Sequence, residues 1–505
     1  MKKQGFFGKV GLLLLIGIFV FSFAVEAAPD NELRWGRGTD ATSLDPRTIR
    51  DVYSWAIHML VFNSLIYFDD EMSVQLDLAK SMEFPDDTTY LFEIHEGVKF
   101  HDGVELTAAD IVYTFETMRD EEFASPYRGR LSPITSVEAL DDYTVKIEID
   151  EPNAPFIYEL DVYIVPKHIA PDKMDKEGGF AHEPIGSGPF ELINWIPNDR
   201  IILERFDDYW EGPAKLEKIT VIEIPEADVR LTELRAGNLD LTSIPSRFIE
   251  DFQEDPNFTV GQYTTLNWFP IWTQHDHDIL SDVRVRQALA YGTNVEEIVE
   301  HVYYPTGVVS IGPIIPGTWA EAPDVIRRYD YNPEKARELL AEAGYPDGFE
   351  IELRCSSGEA NVQFGEILRQ QWLQIGVDLN VNQTEWSTYA SDVVSSNFEL
   401  AYHGVVDQFD PDIHLGRFVS GEINGGNWTN YVNPEYDEVV YAARKIIDDQ
   451  EKRAELYREA QRIFSEELPS IPIRHSILTM VWDADFEFDF RRGVEYRTLN
   501  EAYWK

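Results

Sequence analysis

The chain has 505 residues, of which 44% are hydrophobic, and this is enough to fill the cores of two or three domains. Acidic residues outnumber basic residues by 91 to 43, so the net charge of −48 disfavours nucleic acid and anionic membranes as partners. The single cysteine, Cys355, excludes an internal disulfide, and we expect it to be a small buried residue of a strand.

The first residues are typical of a secretory signal peptide. Lys2, Lys3 and Lys9 precede an apolar run over residues 10–23, and small residues up to Ala28 follow it. The run is shorter than the roughly 20 apolar residues that span a bilayer, which disfavours the alternative of a retained membrane anchor. We therefore predict cleavage near Ala28 and a periplasmic protein. The cleavage region has no cysteine, so we do not expect a lipoprotein.

Strand and helix patterns alternate along the rest of the chain. Alternating apolar residues predict strands at 144–149, 201–204, 218–224 and 349–354. Helices are predicted from about 107 to 118, from 333 to 343 and near 456–467, the first two with Thr107 and Asn332 as caps. The mixture indicates an α/β fold.

Motifs for catalysis or metal binding are weak. Residues 275–278, HDHD, offer four possible ligands, but metal ligands usually converge from separated positions, and we interpret this segment as a solvated loop. The glycines of residues 186–189, GSGP, lack the lysine of a phosphate-binding loop. No nucleophile elbow or zinc-protease motif is present. We predict no catalytic residues, no metal and no cofactor.

Two tryptophans lie beside polar or glycine-containing segments. They are Trp386, in TEWS, and Trp428, in GGNWTN. An indole ring at such a position can stack on a ligand and donate its N–H. The alternative is a partly buried surface tryptophan.

Several segments together resemble one protein family. They are residues 42–46 (TSLDP), 76–81 (LDLAKS), 97–113 (GVKFHDGVELTAADIVY), 165–168 (VPKH), 184–190 (PIGSGPF), 282–289 (DVRVRQAL) and 331–345 (YNPEKARELLAEAGY). In content, order and spacing they are similar to the family 5 extracellular solute-binding proteins of ABC importers. That family includes oligopeptide, dipeptide and nickel receptors.

The resemblance implies a two-lobed periplasmic-binding-protein fold with an inserted subdomain. After the signal peptide at 1–28, lobe I would comprise residues 29–52, 185–268 and the C-terminal return at 487–505. The inserted subdomain would span 53–184, and lobe II would span 269–486. A ligand would be enclosed between the lobes, and the partners would be membrane permease and ATPase subunits. We expect a monomer that does not bind nucleic acid.

The resemblance also implies binding residues. Peptide receptors of this family use an aspartate in a G-D-x-x-D-P-D-like segment to bind the α-amino group, and Asp407 in residues 404–412 (GVVDQFDPD) matches it. A dipeptide receptor would place an arginine at Cys355, but here the neighbouring Arg354 is the basic residue. Strand alternation would turn these two side chains to opposite faces. We expect Asp407, Arg354, Trp386, Tyr389 and Trp428 to contribute to the site.

Three functions are compatible with these features. The leading prediction is a peptide receptor. The second retains the fold but binds an oligosaccharide, whose apolar faces would stack on tryptophan. The third is an exported hydrolase, for which we find no convergent catalytic group. The acidic charge indicates either a cationic ligand or adaptation to high salt, and its even spread along the chain favours salt adaptation.

Overall fold

The structure is a computed structural model that describes residues 31–49, 51–170, 179–405, 410–422, 426–494 and 496–505. The predicted signal peptide and Asp407 lie outside these residues. Within them, every helix is too short or too polar to cross a bilayer.

Helices and strands alternate through the described chain. The helices are α1 (Val52–Val61), α2 (Ala108–Arg119), α3 (Gly179–His182), α4 (Ala227–Arg235), α5 (Ile249–Gln253), α6 (Val283–Tyr291), α7 (Val295–Ile298), α8 (Pro333–Glu342), α9 (Glu359–Leu373), α10 (Trp386–Val394), α11 (Pro411–Leu415), α12 (Pro434–Arg444) and α13 (Gln450–Glu467).

The strands are β1 (Glu32–Arg37), β2 (Ile66–Phe68), β3 (Val74–Leu76), β4 (Ala79–Asp86), β5 (Thr89–Ile94), β6 (Ile134–Ala139), β7 (Thr144–Ile149), β8 (Phe190–Ile196), β9 (Arg200–Arg205), β10 (Lys218–Glu223), β11 (Leu241–Ser243), β12 (Phe258–Thr273), β13 (Gly307–Val309), β14 (Phe349–Ser356), β15 (Val377–Thr384), β16 (Leu400–Tyr402), β17 (Ser470–Asp483), β18 (Phe486–Glu487) and β19 (Tyr503–Trp504).

Local sequence signals account for several of these elements. The backbone N–H of Thr107 donates to the carboxylate of Asp110 at the start of α2, as a capping box requires. The Asn332 side chain accepts from the backbone N–H of Lys335 at the start of α8. The predicted strands at 144–149 and 349–354 are confirmed as β7 and the main part of β14.

One large sheet connects the two lobes. Its strand order is β15-β14-β16-β12-β17-β11-β1-β10-β9-β8, with β13 added beside β17. The long strands β12 and β17 form an antiparallel ribbon at its centre. β16 pairs with one end of this ribbon, at Ile271–Thr273, and β11 pairs with the other end, at Met480–Trp482. The α/β, two-lobed fold is therefore confirmed.

The ribbon is irregular halfway between the two lobes. Pairing of β12 with β17 shifts register between Thr264 and Trp268, and again between Phe269 and Pro270. A bulge of this kind bends a strand locally and increases its twist. The ribbon is thus least regular between the lobes, where a hinge between them would lie. The residue limits of the lobes remain a prediction.

The segment between α1 and β8 has a core of its own. Its four-stranded antiparallel sheet, β4-β5-β7-β6, packs with α2 around buried residues that include Tyr90, Phe92, Ile111 and Phe115. These residues are separate from the core beneath β1 and β10. The segment is therefore an additional packed unit beside the two lobes.

The lobe II sheet is covered on both faces. On one face, Ile351, Leu353 and Cys355 of β14 pack with Phe364 and Leu368 of α9. On the other face, buried residues from α10, α13 and β12 form a second core, which contains Trp268, Trp272, Tyr389 and Phe464. Side chains at the edge of the second core are therefore held by rigid neighbours.

Candidate functional site

The directions of the strands define a cleft between the lobes. β16 runs antiparallel to β12, and β14 runs parallel to β16, so both strands end towards lobe I. β11 runs antiparallel to β17, and β1 and β10 run parallel to β11, so these strands end towards lobe II. The carboxyl ends of the two sets face each other, which is where α/β sheets place their ligands.

Beyond a short paired stretch, the described residues of β14 and of the chain after β16 share no main-chain hydrogen bond, and we call this unpaired edge the groove. The two strands pair only at Leu353–Arg354 with Leu400–Ala401 and then separate. Val405 exchanges both main-chain hydrogen bonds with Trp268, so the main chain of the preceding residue, Gly404, points away from β12 towards the groove. Within the described part of the chain, the Gly404 N–H and C=O have no hydrogen-bond partner.

Aromatic rings form one wall of the groove. Trp386, the first residue of α10, is 57% exposed and stacks on His403 with ring centroids 5.6 Å apart. Trp428 meets His403 edge to face at 5.6 Å and Trp272 at 5.2 Å. The indole of Trp272 donates to the His403 carbonyl oxygen at 3.0 Å, which fixes the turn after β16. The wall thus combines the accessible ring of Trp386 with the rings of His403 and Trp428, which the buried Trp272 contacts.

The polar groups of this wall are mostly neutral. Burial, together with the nearby charge of Arg417, lowers the pKa of His403 to about 4, so its imidazole is neutral near pH 7. The guanidinium of Arg417 lies over the Trp428 ring, 4.8 Å from the centroid. Arg417 is therefore a charged group of this wall at neutral pH, although burial lowers the pKa of its guanidinium to about 10.

Lobe I contributes a second guanidinium at the opposite edge. Arg37 ends β1, is 7% exposed and lies between the rings of Trp35 and Tyr53, at 4.9 and 5.2 Å. Burial lowers its pKa. One of its terminal nitrogens is buried without a hydrogen-bond partner in the described part of the chain.

Comparisons with known proteins identify the family. The family model described as bacterial extracellular solute-binding proteins, family 5 middle, matches residues 73–426. The chain belongs to this family. Heme-binding protein A of Haemophilus influenzae is 30% identical over 450 residues, which cover 83% of this chain and 82% of that protein.

Two solved structures show the same fold as this family 5 protein. HbpA2 from Haemophilus parasuis matches with a TM-score of 0.87 and 28% identity, covering 94% of this chain and 100% of that one. The ABC transporter-associated periplasmic binding protein DppA from Helicobacter pylori, in complex with the peptide STSA, matches with a TM-score of 0.74 and 27% identity. That match covers 94% of this chain and 98% of DppA.

The structure brings three of the predicted site residues together. Trp386, Tyr389 and Trp428 surround His403. Tyr389 is only 1% exposed, and its hydroxyl donates to the Tyr402 carbonyl oxygen at 2.6 Å. Tyr389 is therefore a buried residue that packs against the wall. Trp386 is accessible, and it begins a helix and does not lie in a loop.

Arg354 lies on the same face of the sheet but is paired within the protein. Its guanidinium contacts Glu352 at 2.9 Å and Asp392 of α10 at 2.5 Å. Cys355 points to the opposite face and is fully buried, as strand alternation predicts. Burial raises the pKa of the Cys355 thiol to about 11, so it is an apolar core residue and not a reactive thiol.

The residues of the HDHD segment turn to different partners. Asp276 accepts from Asn430, and His277 faces Glu399 at 3.5 Å. No group of three or more potential metal ligands occurs among the described residues.

Sequence reasoning did not find Arg37, His403 or Arg417, since only the fold places them beside tryptophan rings at the cleft.

Proposed function

We propose that this family 5 protein is the receptor of an ABC importer and captures peptides in the cleft between its lobes. The unpaired main chain of Gly404 carries this proposal, because its N–H and C=O face the groove between β14 and β16. An extended peptide can add to such an edge through main-chain hydrogen bonds, which do not depend on its sequence. DppA, which has the same fold, holds the peptide STSA.

The surrounding side chains fit this mode of binding. Trp386 and Trp428 would line pockets for peptide side chains, and Asp407 would bind the α-amino group through a charge-assisted hydrogen bond. Closure of the lobes about the β12–β17 ribbon would enclose the peptide. The ligand would then leave unchanged, since this role needs no catalytic group.

The route of delivery follows from the same role. The protein would be exported by its signal peptide, cleaved near Ala28, and would act as a monomer in the periplasm without a lipid anchor. The membrane permease and its ATPase subunits would receive the peptide. The acidic surface would act in solubility and not in selecting the ligand.

Mass spectrometry of the ligand that remains bound through purification tests the proposal. We expect a mixture of short peptides, and calorimetry with such peptides should give binding that cello- and xylo-oligosaccharides do not. Asp407→Ala should weaken peptide binding about 10- to 100-fold, because the ammonium group loses its charged partner. The matched substitution Asp347→Ala, at an exposed position in the turn after α8, should leave binding unchanged.

Other ligands would overturn the peptide assignment. A retained oligosaccharide would favour the alternative in which Trp386 and Trp428 stack on sugar rings. Haem would be detected by its visible absorbance. Release of a chemically altered compound would indicate a hydrolase.

A further inference from the structure

Arg417 has an unusual environment for a cation in this protein. It makes no ion pair or hydrogen bond with any other described residue, and its Nε atom is buried without a partner. Among the described residues, its guanidinium is in contact with the face of the Trp428 ring. A charged group removed from water normally requires a compensating charge, because its interactions with water are lost on burial.

The neighbours of Arg417 do not supply that charge. His403 and His414 are the titratable groups that its charge affects, and burial makes both neutral near pH 7. In the part of the chain that is described, no carboxylate lies within 4 Å of the guanidinium, although the chain contains 91 acidic residues. The Arg417 side chain therefore retains unused donors that suit an anion.

Arg354 contrasts with Arg417 on the same face of lobe II. Arg354 also approaches the cleft, but Glu352 and Asp392 neutralise it. A ligand carboxylate would have to displace two protein carboxylates to bind there. Arg417 offers the same fork of N–H donors without that competition.

We propose that Arg417 binds a carboxylate of the captured ligand, in place of the arginine that a dipeptide receptor would have at Cys355. This inference rests on the proposed peptide function. The carboxylate could be the free C-terminus of the peptide or an acidic side chain. The ring of Trp428 orients the Arg417 guanidinium and carries no charge, and the His403 imidazole is neutral. The positive charge of Arg417 is therefore available to attract the ligand.

Calorimetry with three tripeptide libraries tests the inference and separates the two sources. The first library has free C-termini and no Asp or Glu, the second is the same library with amidated C-termini, and the third is amidated and contains Asp and Glu. The wild-type protein should prefer the first library, or the third, over the second by about 10- to 100-fold. Preference for the first identifies the C-terminus, and preference for the third identifies an acidic side chain.

Three variants assign the preference to one guanidinium. Arg417→Gln should abolish the preference, with circular dichroism confirming that the variant is folded. Arg417→Lys should recover part of it, because the point charge remains but the planar fork is lost. Arg354→Gln is the matched control on the same face and should keep the preference of the wild type.

Two results would overturn the inference in distinguishable ways. If the wild type binds all three libraries equally, or Arg417→Gln keeps the preference, Arg417 is not the carboxylate site and peptide capture still stands. If the wild type binds none of the libraries, the proposed peptide function fails together with the inference.

Discussion

The absence of a side chain at Gly404 is a steric requirement. A Cβ atom there would lie 2.3 Å from the ring of Phe269. That ring is held by the guanidinium of Arg474, 3.7 Å from its centroid, and Arg474 in turn binds the hydroxyl of Tyr402. The residue that carries the proposed peptide contact therefore sits in a packed position, and its neighbours cannot move without breaking other contacts.

Gly404→Ala should destabilise the protein by about 1–3 kcal/mol, because the added methyl group overpacks the contact with Phe269. Denaturant unfolding measures the change. Gly129→Ala is the control, since a Cβ atom at Gly129 meets nothing within 4 Å. Equal effects of the two substitutions would contradict the steric argument.

Sequence reasoning at the scale of single residues succeeded where one local rule decides the outcome. Alternation along β14 was enough to separate Arg354 from Cys355. It did not reveal that Arg354 is neutralised by Asp392, which is 38 residues away in the chain. Nor could it reveal Arg417, whose significance depends on Trp428 and His403 being brought to it by the fold.

At the scale of elements, the side chain of Arg492 links the β12–β17 ribbon to neighbouring loops. The guanidinium of Arg492, 9% exposed, donates to the carbonyl oxygens of Asp70, Thr264, Pro316 and Gly317. Asp70 lies in the turn between β2 and β3, Thr264 lies at the bulge of β12, and the other two follow β13. Arg492 therefore joins three segments where the ribbon is irregular.

Arg492→Met should destabilise the protein by about 1–3 kcal/mol, because it retains much of the apolar stem but leaves part-buried carbonyl oxygens without donors. Arg491→Met is the adjacent control. Arg491 is 47% exposed and pairs with surface carboxylates, so its loss should cost less than about 1 kcal/mol. The denaturant midpoints of the two variants provide the comparison, and a similar shift in both would contradict the role of Arg492.

Elements with clear end signals were the predictable ones. The caps at Thr107 and Asn332 mark helices that the structure contains, and the apolar run at 218–224 is present as β10. The continuity of β12 across both lobes was not predictable from pattern. Its 16 residues change burial along their length, since the first half is largely part-exposed and the second half is mostly buried.

At the scale of the whole molecule, the family resemblance predicted the architecture but not the contacts between its parts. The order of motifs was sufficient for two lobes and an inserted subdomain. It did not indicate that Met72 of the inserted subdomain packs into the lobe II core, or that the Trp319 indole donates to the hydroxyl of Tyr158. These contacts join segments far apart in the chain, and no single segment encodes them.

Buried histidines give the whole molecule a dependence on pH. Burial lowers the pKa from the ordinary value of 6.5 to about 4 for His58 and to about 3 for His414 and His475, each at most 2% exposed. Three part-exposed histidines have similarly lowered pKa values: His101, His275 and His403. Below pH 6.5 the unfolded chain binds protons that the folded chain excludes, so stability falls as the pH falls.

Two carboxyl groups, those of part-exposed Asp161 and buried Asp412, act in the opposite direction. Burial raises the pKa of Asp161 to about 7 and of Asp412 to about 6, so the folded chain binds these protons first. Subtracting these two from the three fully buried histidines leaves one proton, and subtracting them from all six leaves four. An unfolded imidazole is only half protonated at pH 6.5, so the averages over pH 6.5 to 5 are lower than these counts, and the unfolding free energy should fall by about 1 to 4 kcal/mol per pH unit.

Denaturant unfolding at a series of pH values from 7.5 to 5 measures this slope, because most carboxylates titrate below that range. High salt should be present throughout, so that changes in repulsion between the many surface carboxylates are screened. His475→Gln should reduce the slope by up to about 1.4 kcal/mol per pH unit, which is the contribution of one proton that the folded chain excludes. A wild-type profile that is flat from pH 6.5 to 5 would mean that these imidazoles accept protons without unfolding the protein.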